Sequence, residues 1–255
     1  MSPNYQNQKR PEITVVMPAF NSRSTIERSL QSVASQSFAN WELIVVDDNS
    51  SDQTSDLIQK YAESDSRINV YSLPKRRGPA FARNFAMKKA SGDFIAFLDS
   101  DDMWLPEKIE KQIPFLRSDQ FPIVFSWYNV VSVDNTMLYQ RRCQEQIDYQ
   151  SLLSLNRIGN LTAVYNRKKY GRIYQDYVSH EDYAYWLKIL RKTGKSAYCL
   201  QEPLANYTVS SKSLSGNKVK CAYWTFTIYN NCENFGILAS LYLLIRYLIH
   251  HLFIR

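Results

Sequence analysis

Two groups of carboxylates follow apolar runs in the first part of the chain. Asp47 and Asp48 come directly after residues 43–46, and the apolar run 94–98 leads into the acidic segment 99–102. Carboxylates gathered at the ends of buried strands repel one another unless a cation or a donor-rich ligand neutralises them. In an open α/β sheet, ligands also bind at those strand ends. The pattern predicts an enzyme that handles a charged, metal-bound substrate.

The segment Asp99-Ser100-Asp101-Asp102 has the composition of a Mg²⁺ or Mn²⁺ site. These ions take oxygen ligands, and a site that binds them together with a diphosphate supplies only one or two carboxylates. An extended backbone would place Asp99 and Asp101 on one face. Alternatively, the segment is an acidic turn in which Ser100 or Asp102 caps the following helix. The residues alone leave both interpretations open.

Two polar segments follow the first two apolar runs. Pro18-Ala19-Phe20-Asn21 predicts a turn in which the small Ala19 lets a ligand approach the backbone. The second segment is Asp47-Asp48-Asn49-Ser50. Its Asp48 is placed to accept hydrogen bonds from a nucleotide base or from ribose hydroxyls. An Asx turn leading into the next helix explains that aspartate equally well.

Two predicted helix starts carry charged groups. Arg83 lies about one turn inside the helix that follows Gly78, where a guanidinium could pair with a phosphate or with the acidic segment. Glu181 and Asp182 precede an apolar helix that contains Trp186. Acidic residues favour a helix N-terminus. A carboxylate held there is also well placed to accept a proton from an attacking hydroxyl.

Alternating strands and helices must position these groups. We predict strands at 13–17 (ended by Pro18), 43–46, 68–71 and 94–98, and helices after a Ser24–Glu27 capping box, after a cap at Asp52, at 79–90 and from Pro106 to about Arg117. The strands are apolar throughout, which indicates a sheet covered on both faces. The first half therefore predicts a doubly wound, Rossmann-like α/β unit.

Beyond residue 123 the pattern becomes mixed α+β, which suits a second substrate. We predict strands at 123–133, 137–139, 162–165 and 197–200, and a helix at 182–192. The chain then divides into residues 1–215, with halves at 11–120 and 121–215, and a helical segment at 216–255.

The C-terminal segment is strongly apolar over residues 235–254, interrupted by Arg246, His250 and His251. The uncharged stretch before Arg246 is shorter than the roughly 20 residues that span a bilayer. Aromatic residues and lysines just upstream are typical of a helix that lies in a membrane interface. A helix packed on the domain or on another chain is the alternative, and a true span is least favoured.

Bulk properties narrow the class of protein. The length of 255 residues suits one α/β domain with an appendage, and the hydrophobic content of 45% is enough for a core. The net charge is +7. Short basic groups occur at 75–77, 141–142, 167–169 and 212–220, without the stripe expected for nucleic acid. Four cysteines without CxxC spacing predict reduced thiols, and the polar N-terminus (1–11) has no signal core. We expect a cytoplasmic protein with phosphate or lipid partners.

Five segments, in this order, resemble the motifs of family 2 glycosyltransferases with a GT-A fold: residues 18–21, 46–50, 78–84, 97–102 and 181–186. The resemblance covers residues 11–200. It implies a Rossmann-like nucleotide-sugar-binding sheet with helices on both faces and a mixed α+β acceptor half, to which the composition of residues 216–255 adds C-terminal amphipathic helices. It also implies inverting transfer (EC 2.4) from a nucleotide-sugar, a UDP-sugar being expected, with Mn²⁺ or Mg²⁺.

The resemblance assigns roles residue by residue. Asp101, helped by Asp99, is expected to hold the metal, and Asp182 to act as general base. Nucleotide-sugar contacts are implied for Pro18, Ala19, Phe20, Asn21, Asp47, Asp48, Gly78, Arg83, Asp99, Ser100 and Asp102, and acceptor contacts for Glu181 and Trp186.

The resemblance extends to bacterial enzymes that build O-antigen, capsule or teichuronic-type polysaccharide on a lipid carrier. It implies a lipid-diphosphate-linked saccharide acceptor, a membrane surface bound through the C-terminal helix, and a peripheral location on the cytoplasmic face of the inner membrane. Phe20 stands where the family more often has tyrosine, and the Q-x-x-R-W segment of processive synthases is absent. We therefore expect transfer of a single sugar.

Two other functions remain open. A nucleotidyltransferase would need a glycine-rich phosphate loop after the first strand, and residues 18–24 contain no glycine. A non-catalytic sugar-nucleotide or membrane-interaction module could keep the fold without turnover, although the presence of Asp101 and Asp182 disfavours it.

Overall fold

The computed structural model describes residues 10–209 and 218–253. The strands are β1 (Ile13–Ala19), β2 (Trp41–Asp47), β3 (Ile68–Ser72), β4 (Phe94–Phe97), β5 (Met103–Trp104), β6 (Ile123–Val131), β7 (Met137–Arg141), β8 (Gln146–Ile147), β9 (Val164–Asn166) and β10 (Ala197–Thr208). The helices are α1 (Ile26–Ala34), α2 (Thr54–Ser64), α3 (Pro79–Lys89), α4 (Lys108–Arg117), α5 (Tyr149–Ser154), α6 (Arg167–Tyr170), α7 (Glu181–Thr193), α8 (Lys218–Thr227) and α9 (Ile237–Phe253).

One mixed sheet organises the molecule, in the order β3-β2-β1-β4-β9-β6-β10-β5. The first four of these strands are parallel, and β1 at their centre is buried along its whole length. Two hydrophobic clusters, one on each side of the sheet, bury alternate side chains of these strands. The continuous apolar runs in the sequence reflect this double coverage.

The sheet continues into the second half of the chain. Strand β9 pairs antiparallel with β4 and with β6, and β10 lies parallel to β6. The described residues do not include 1–9 or 210–217. The predicted boundary at 215/216 and Lys212, part of the predicted basic group at 212–220, therefore lie outside them.

Several predicted strand ends differ from the structure; residue 162, for example, belongs to a 3-10 helix at Asn160–Thr162, so that β9 begins at Val164. Two of the differences have a clear physical reason. Strand β1 continues through Pro18 to Ala19, because the neighbouring bonds use the carbonyls of Val16 and Ala19 and do not need the missing proline N–H. Strand β10 reaches Thr208 rather than stopping at residue 200, because its partner β6 extends alongside it to Val131.

The predicted capping box of α1 does not form. Thr25 is the N-cap and no side chain caps the helix. Glu27 instead accepts a hydrogen bond from the Tyr61 hydroxyl (3.0 Å), so tertiary contact replaces the local one. The carboxylate of Asp52 does accept from the N–H of Thr54 at the start of α2 (3.1 Å), although the N-cap itself is Gln53.

Gly92, just before β4, is required by close packing rather than by its backbone angles. A Cβ at this position would lie 2.5 Å from the backbone nitrogen of Thr14 and 2.7 Å from the carbonyl carbon of Ile13. Its N–H also donates to the Thr14 hydroxyl (2.9 Å). The absence of a side chain lets the chain enter β4 directly beside β1.

We therefore expect Gly92→Ala to destabilise the protein by about 1–3 kcal/mol, as overpacking against backbone does. At this size, each kcal/mol lowers the Tm by about 2–4 °C. Differential scanning calorimetry measures the shift. Lys60→Ala, at an exposed site on α2, is the matched control and should leave the Tm unchanged. An unaltered Tm in Gly92→Ala would contradict the packing argument.

The segment that joins α8 to α9, a helical turn at Ile228–Cys232 followed by Glu233, packs on the rest of the domain. The Tyr149 hydroxyl donates to the buried carboxylate of Glu233 (2.5 Å), which Arg191 also approaches (3.4 Å). The hydroxyls of Tyr183 and Tyr229 hydrogen-bond at 2.9 Å. Across the part of the chain that the structure describes, no helix has both the length and the apolar character needed to cross a bilayer.

Candidate active site

The carboxyl ends of β1 and β2 lie side by side, next to the loop before α3. We use the word cleft for the region that these strand ends share with residues 99–102 and the start of α7. Asp48 follows β2, and its two carboxylate oxygens accept from the backbone N–H groups of Arg77 and Gly78, both at 2.7 Å. The guanidinium of Arg76 lies 3.9 Å from the centre of the Phe20 ring. The structure thus brings the predicted nucleoside residues together and adds the loop before α3 to them.

Gly78 needs its lack of a side chain for backbone reasons. Its φ is +89°, a conformation that L side chains rarely adopt, and it precedes Pro79 at the start of α3. A Cβ built there would meet nothing within 4 Å, so the backbone faces open space. Asn21 also has a positive φ (48°), and its side-chain oxygen accepts from the N–H of Ser51 (2.9 Å). These contacts fix the rim of the cleft.

Asp47 is buried at the end of β2. Its carboxylate accepts from the backbone N–H of Ser50 (3.2 Å) and from the Ser50 hydroxyl. The Ser50 hydroxyl also accepts from the N–H of Asn21 (2.9 Å). Asp47 therefore shapes the loop through Ser50.

The acidic segment is a turn, so the extended backbone considered from the sequence is wrong. The N–H of Asp102 donates to the carbonyl of Asp99 (3.1 Å). Neither Ser100 nor Asp102 caps the next helix, because β5 intervenes and α4 begins after Glu107. The Ser100 hydroxyl instead bonds that of Ser22 (2.7 Å), which ties the turn to the end of β1.

Arg83 joins the acidic turn to the start of α7. Its side chain is 6% exposed, with one nitrogen 2.5 Å from Asp99 Oδ1 and another 2.7 Å from Glu181 Oε1. Both carboxylates raise the pKa of Arg83 and so overcome the opposing effect of burial. Residues almost a hundred positions apart in the chain thereby meet in one site.

Crowding in the turn raises the pKa values of two carboxyls. Loss of surrounding water, followed by the charge of Asp99, raises the pKa of Asp101 to about 6, although the residue lies at the exposed mouth of the cleft. Burial and then the charges of Asp101 and Asp99 raise that of Asp102 well above its ordinary value. Asp102 still accepts a bond from the N–H of Thr208 (2.9 Å).

The donor set fits a divalent cation bound together with a diphosphate. Repulsion among carboxylates of this kind is relieved when a cation binds. Within residues 10–209 and 218–253, no group of three or more His, Cys, Asp or Glu side chains forms a closed metal site. Phosphate and water would therefore have to complete the coordination, as is usual for Mg²⁺.

Asp182 lies beside the Arg83 bridge in the first turn of α7. Burial and the charge of Glu181 raise its pKa to about 6, partly opposed by the charge of Arg83. His180, the N-cap residue of α7, has a left-handed backbone (φ 55°) and packs against Trp224 at 5.0 Å between ring centres. A half-buried carboxylate with a pKa near 6 suits a general base.

The predicted acceptor contact of Trp186 is wrong for this structure. Its side chain is 0% exposed and packs edge-on against Phe97, with 5.5 Å between ring centres. The apolar stripe of α7 turns this tryptophan into the core, one helical turn after Asp182. Trp186 therefore supports the helix and does not reach the cleft. Glu181, by contrast, is part of the site because its carboxylate forms an ion pair with Arg83.

The sequence interpretation missed Arg28 of α1. Its guanidinium donates to the carbonyl of Asp101 (2.8 Å), the hydroxyl of Thr208 (3.1 Å) and the carbonyl of Val133 (3.2 Å). One side chain thus holds the acidic turn, the end of β10 and the β6–β7 hairpin. No local motif marks this arginine, because all three partners are distant in sequence.

Two relatives with similar sequences are bacterial proteins. The chain is 36% identical over 240 residues to TuaG of Bacillus subtilis, named as a teichuronic acid biosynthesis glycosyltransferase, covering 93% of this chain and 95% of that protein. It is 36% identical over 238 residues to WfgD of Escherichia coli, covering 93% and 92% of the two chains. WfgD is named as a UDP-Glc:α-D-GlcNAc-diphosphoundecaprenol β-1,3-glucosyltransferase.

Solved structures show the same fold at lower identity. TarS of S. aureus (residues 1–349, with UDP-GlcNAc) superimposes with a TM-score of 0.71 at 23% identity, over 95% of this chain and 73% of that one. The mannosyltransferase PcManGT of Pyrobaculum calidifontis, with GDP-Man and Mn²⁺, gives 0.70 at 18%, over 94% and 74%. The fold is that of GT-A glycosyltransferases.

The profile described as glycosyl transferase family 2 matches residues 14–195, which include the β1 and β2 ends, the acidic turn, Arg83 and Asp182. The chain belongs to glycosyl transferase family 2 and is a glycosyltransferase.

Proposed function

We propose that this protein transfers a single sugar, with inversion, from a UDP-sugar to a hydroxyl of a lipid-diphosphate-linked saccharide, using Mn²⁺ or Mg²⁺. The observation that supports the proposal is the buried Arg83 bridge, because it joins the acidic turn to the first turn of α7, which carries the base candidate Asp182. A nucleotide-binding module without turnover would not need a carboxylate of raised pKa beside that bridge.

The donor side of the proposal rests on the cleft wall. The nucleoside would lie against Phe20 and the loop at Arg76–Gly78, with Asp48 and the exposed backbone of Gly78 nearby. Asp101, with Asp99, would hold the metal, which when bound supplies positive charge to the leaving diphosphate. The guanidinium of Arg83 adds fixed positive charge on the same side of the cleft.

The acceptor side rests on Asp182. Its carboxylate would take the proton of the acceptor hydroxyl as that oxygen forms its bond to the anomeric carbon. The bond from that carbon to the diphosphate oxygen breaks on the opposite face, and UDP leaves with the bonding electrons. Attack from the opposite face inverts the anomeric configuration. Glu181, held by Arg83, would keep the start of α7 in place.

The similarity to TuaG, named for teichuronic acid biosynthesis, and to WfgD, named for a diphosphoundecaprenol-linked acceptor, supports a role in bacterial surface polysaccharide synthesis. An acceptor on a lipid carrier would place the protein at the cytoplasmic face of the inner membrane, as a peripheral protein. The cationic and aromatic composition of the C-terminal helices supports that location.

The proposal predicts a pH profile. Because the base must be ionised, kcat/KM should rise with pH through about 6, the pKa of Asp182, and level off above it. Initial rates measured at saturating metal from about pH 5 to about pH 8 would show the rise in kcat/KM. A profile that stays flat through pH 6 would argue against Asp182 as the group that accepts the proton.

Arg28 should affect the metal rather than the nucleotide. We expect Arg28→Ala to raise the Mn²⁺ concentration for half-maximal activity by about tenfold, since hydrogen bonds from a charged donor contribute about 1.5–3 kcal/mol. Mn²⁺ binding in the presence of UDP, measured by electron paramagnetic resonance, gives a readout without turnover. Arg23→Ala, an exposed arginine near the same helix start, is the control. Equal Mn²⁺ affinity in both variants would contradict a positioning role.

The direct test is nucleotide release across a panel of UDP-, GDP- and dTDP-sugars, with a short lipid-diphosphate saccharide as acceptor. We expect release from one UDP-sugar, lost on addition of EDTA and in Asp101→Asn. Release that persists in EDTA would contradict metal dependence. A folded protein that binds none of these nucleotides would overturn the donor site itself.

A further inference from the structure

Helix α9 turns its polar residues towards the protein. Arg246 contacts the carbonyl of Gln150 (3.4 Å) and the hydroxyl of Ser154, both in α5. Ser240 is fully buried, and Leu243 is 9% exposed. The polar stripe at Arg246 and His250 that the sequence shows therefore does not face solvent as a whole, because Arg246 anchors the helix to the domain.

The outward side of α9 is apolar. We call it the apolar face of α9, and it consists of Ile237 (65% exposed), Leu238 (84%), Leu241 (43%), Tyr242 (66%), Ile245 (58%), Leu248 (40%) and Ile249 (48%). Spacings of three and four residues keep these side chains on one side of the helix. A surface helix of a soluble domain has the reverse polarity. An exposed apolar patch of this kind marks an interaction site.

The exposed charges of the C-terminal helices themselves are of one sign. Helix α8, which packs on α9, begins with the exposed Lys218 and Lys220, alongside Val219 (80% exposed) and Tyr223 (67%). Glu233 is the single acidic residue in the sequence from 218 to 255, and its side chain is 1% exposed. A cationic, apolar surface complements an anionic bilayer. It complements a second copy of a chain with net charge +7 poorly.

We propose that the apolar face of α9, with Lys218, Lys220 and Tyr223 of α8, inserts into the interface of a bilayer that contains anionic lipids. The helix lies in the membrane plane, with its apolar side chains among the acyl chains and its Arg246 side held by the domain. This inference rests on the proposed function for the nature of the acceptor. It adds which surface meets the lipid and how that surface relates to the base.

The inner side of the same helix packs next to the start of α7. Tyr247 packs against Tyr183 with 6.1 Å between ring centres, and Tyr183 directly follows Asp182. Burial, followed by the charge of Asp182, raises the pKa of Tyr247 to about 12. A helix with its side chains is about 10–12 Å thick. Docking would therefore hold the base about one helix diameter from the lipid surface, where the head of a lipid-linked acceptor is presented.

The test is flotation of the full-length protein with vesicles of phosphatidylcholine alone or with added phosphatidylglycerol. We expect the wild-type protein to float with the vesicles that contain phosphatidylglycerol. The double variant Leu241→Glu/Ile245→Glu should have a partition coefficient for these vesicles that is lower by about tenfold or more. Leu138→Glu, at an exposed apolar position on β7 (54% exposed), is the matched control and should float like wild type. Thermal melting and UDP binding in detergent-free buffer should be equal in all three proteins.

Two results would overturn the inference. The first is wild-type protein that stays at the bottom of the gradient with both vesicle types. The second is a wild-type dimer that the double variant converts to a monomer in light scattering, which would assign the face to a second copy. UDP binding separates this inference from the proposed function. A wild-type protein that does not bind nucleotide would overturn the proposed function. Flotation tests only the membrane inference.

Discussion

Replacing Asp182 by asparagine should lower kcat by about 10²- to 10⁴-fold, the range that general-base assistance supplies. The amide keeps the size of the side chain and removes its ability to take a proton. Nucleotide binding should persist, because the contacts at Phe20, Asp48 and Gly78 lie at the other end of the cleft. Single-turnover measurements with saturating donor and acceptor would separate the chemical step from product release.

The same substitution should leave stability unchanged or raise it. The pKa of Asp182 in the folded protein, about 6, lies above its ordinary value of 3.8, so ionisation disfavours the folded state. That cost is absent below about pH 4, builds up between the two pKa values of 3.8 and about 6, and is constant at higher pH, and asparagine removes it. Thermal melts at about pH 4 and about pH 7.5, on either side of that interval, measure the effect.

Asp56→Asn provides the matched control. Asp56 also lies in the first turn of a helix, α2, so it shares the favourable interaction with the helix N-terminus but not the site. Its activity should equal that of wild type. If Asp182→Asn retained most of the wild-type kcat while binding donor normally, another group would have to accept the proton.

Much of the fold could be predicted because each local signal agreed with the global arrangement. Strands buried on both faces show as continuous apolar runs, and Pro79 marked the start of α3. The errors arose where tertiary contacts replaced local ones. Glu27 bonded Tyr61 instead of closing a capping box, and β10 lengthened because a neighbouring strand was available.

The site shows the same division. Motif order was enough to select Asp48, Asp101 and Asp182 as candidates, and their roles remain predictions that the experiments above test. Burial was harder to judge: a tryptophan one turn after a base looks available from the sequence, yet the apolar stripe of α7 carries Trp186 inward. Arg28 could not be found at all, since its partners come from three distant segments.

Arg83→Met should be the most damaging of these substitutions for stability, and it should also lower activity. The neutral side chain fills the space but leaves Asp99 and Glu181 facing each other without a cation. Removing one partner of a buried ion pair costs about 3–5 kcal/mol; the lower end applies here, because Asp99 is 32% exposed. Misplacement of the acidic turn or of α7 by about 1 Å would cost on the order of 10²-fold in rate.

Arg83→Lys separates charge from geometry. Lysine keeps the positive charge, but its single ammonium cannot hold two carboxylates with two separate nitrogens as the guanidinium does. We therefore expect Arg83→Lys to recover most of the lost Tm while kcat stays well below wild type. Calorimetry and initial rates on the same preparations test this split. Full activity in Arg83→Lys would show that charge alone suffices, and would remove the argument that the two-pronged bridge sets the distance between the acidic turn and the base.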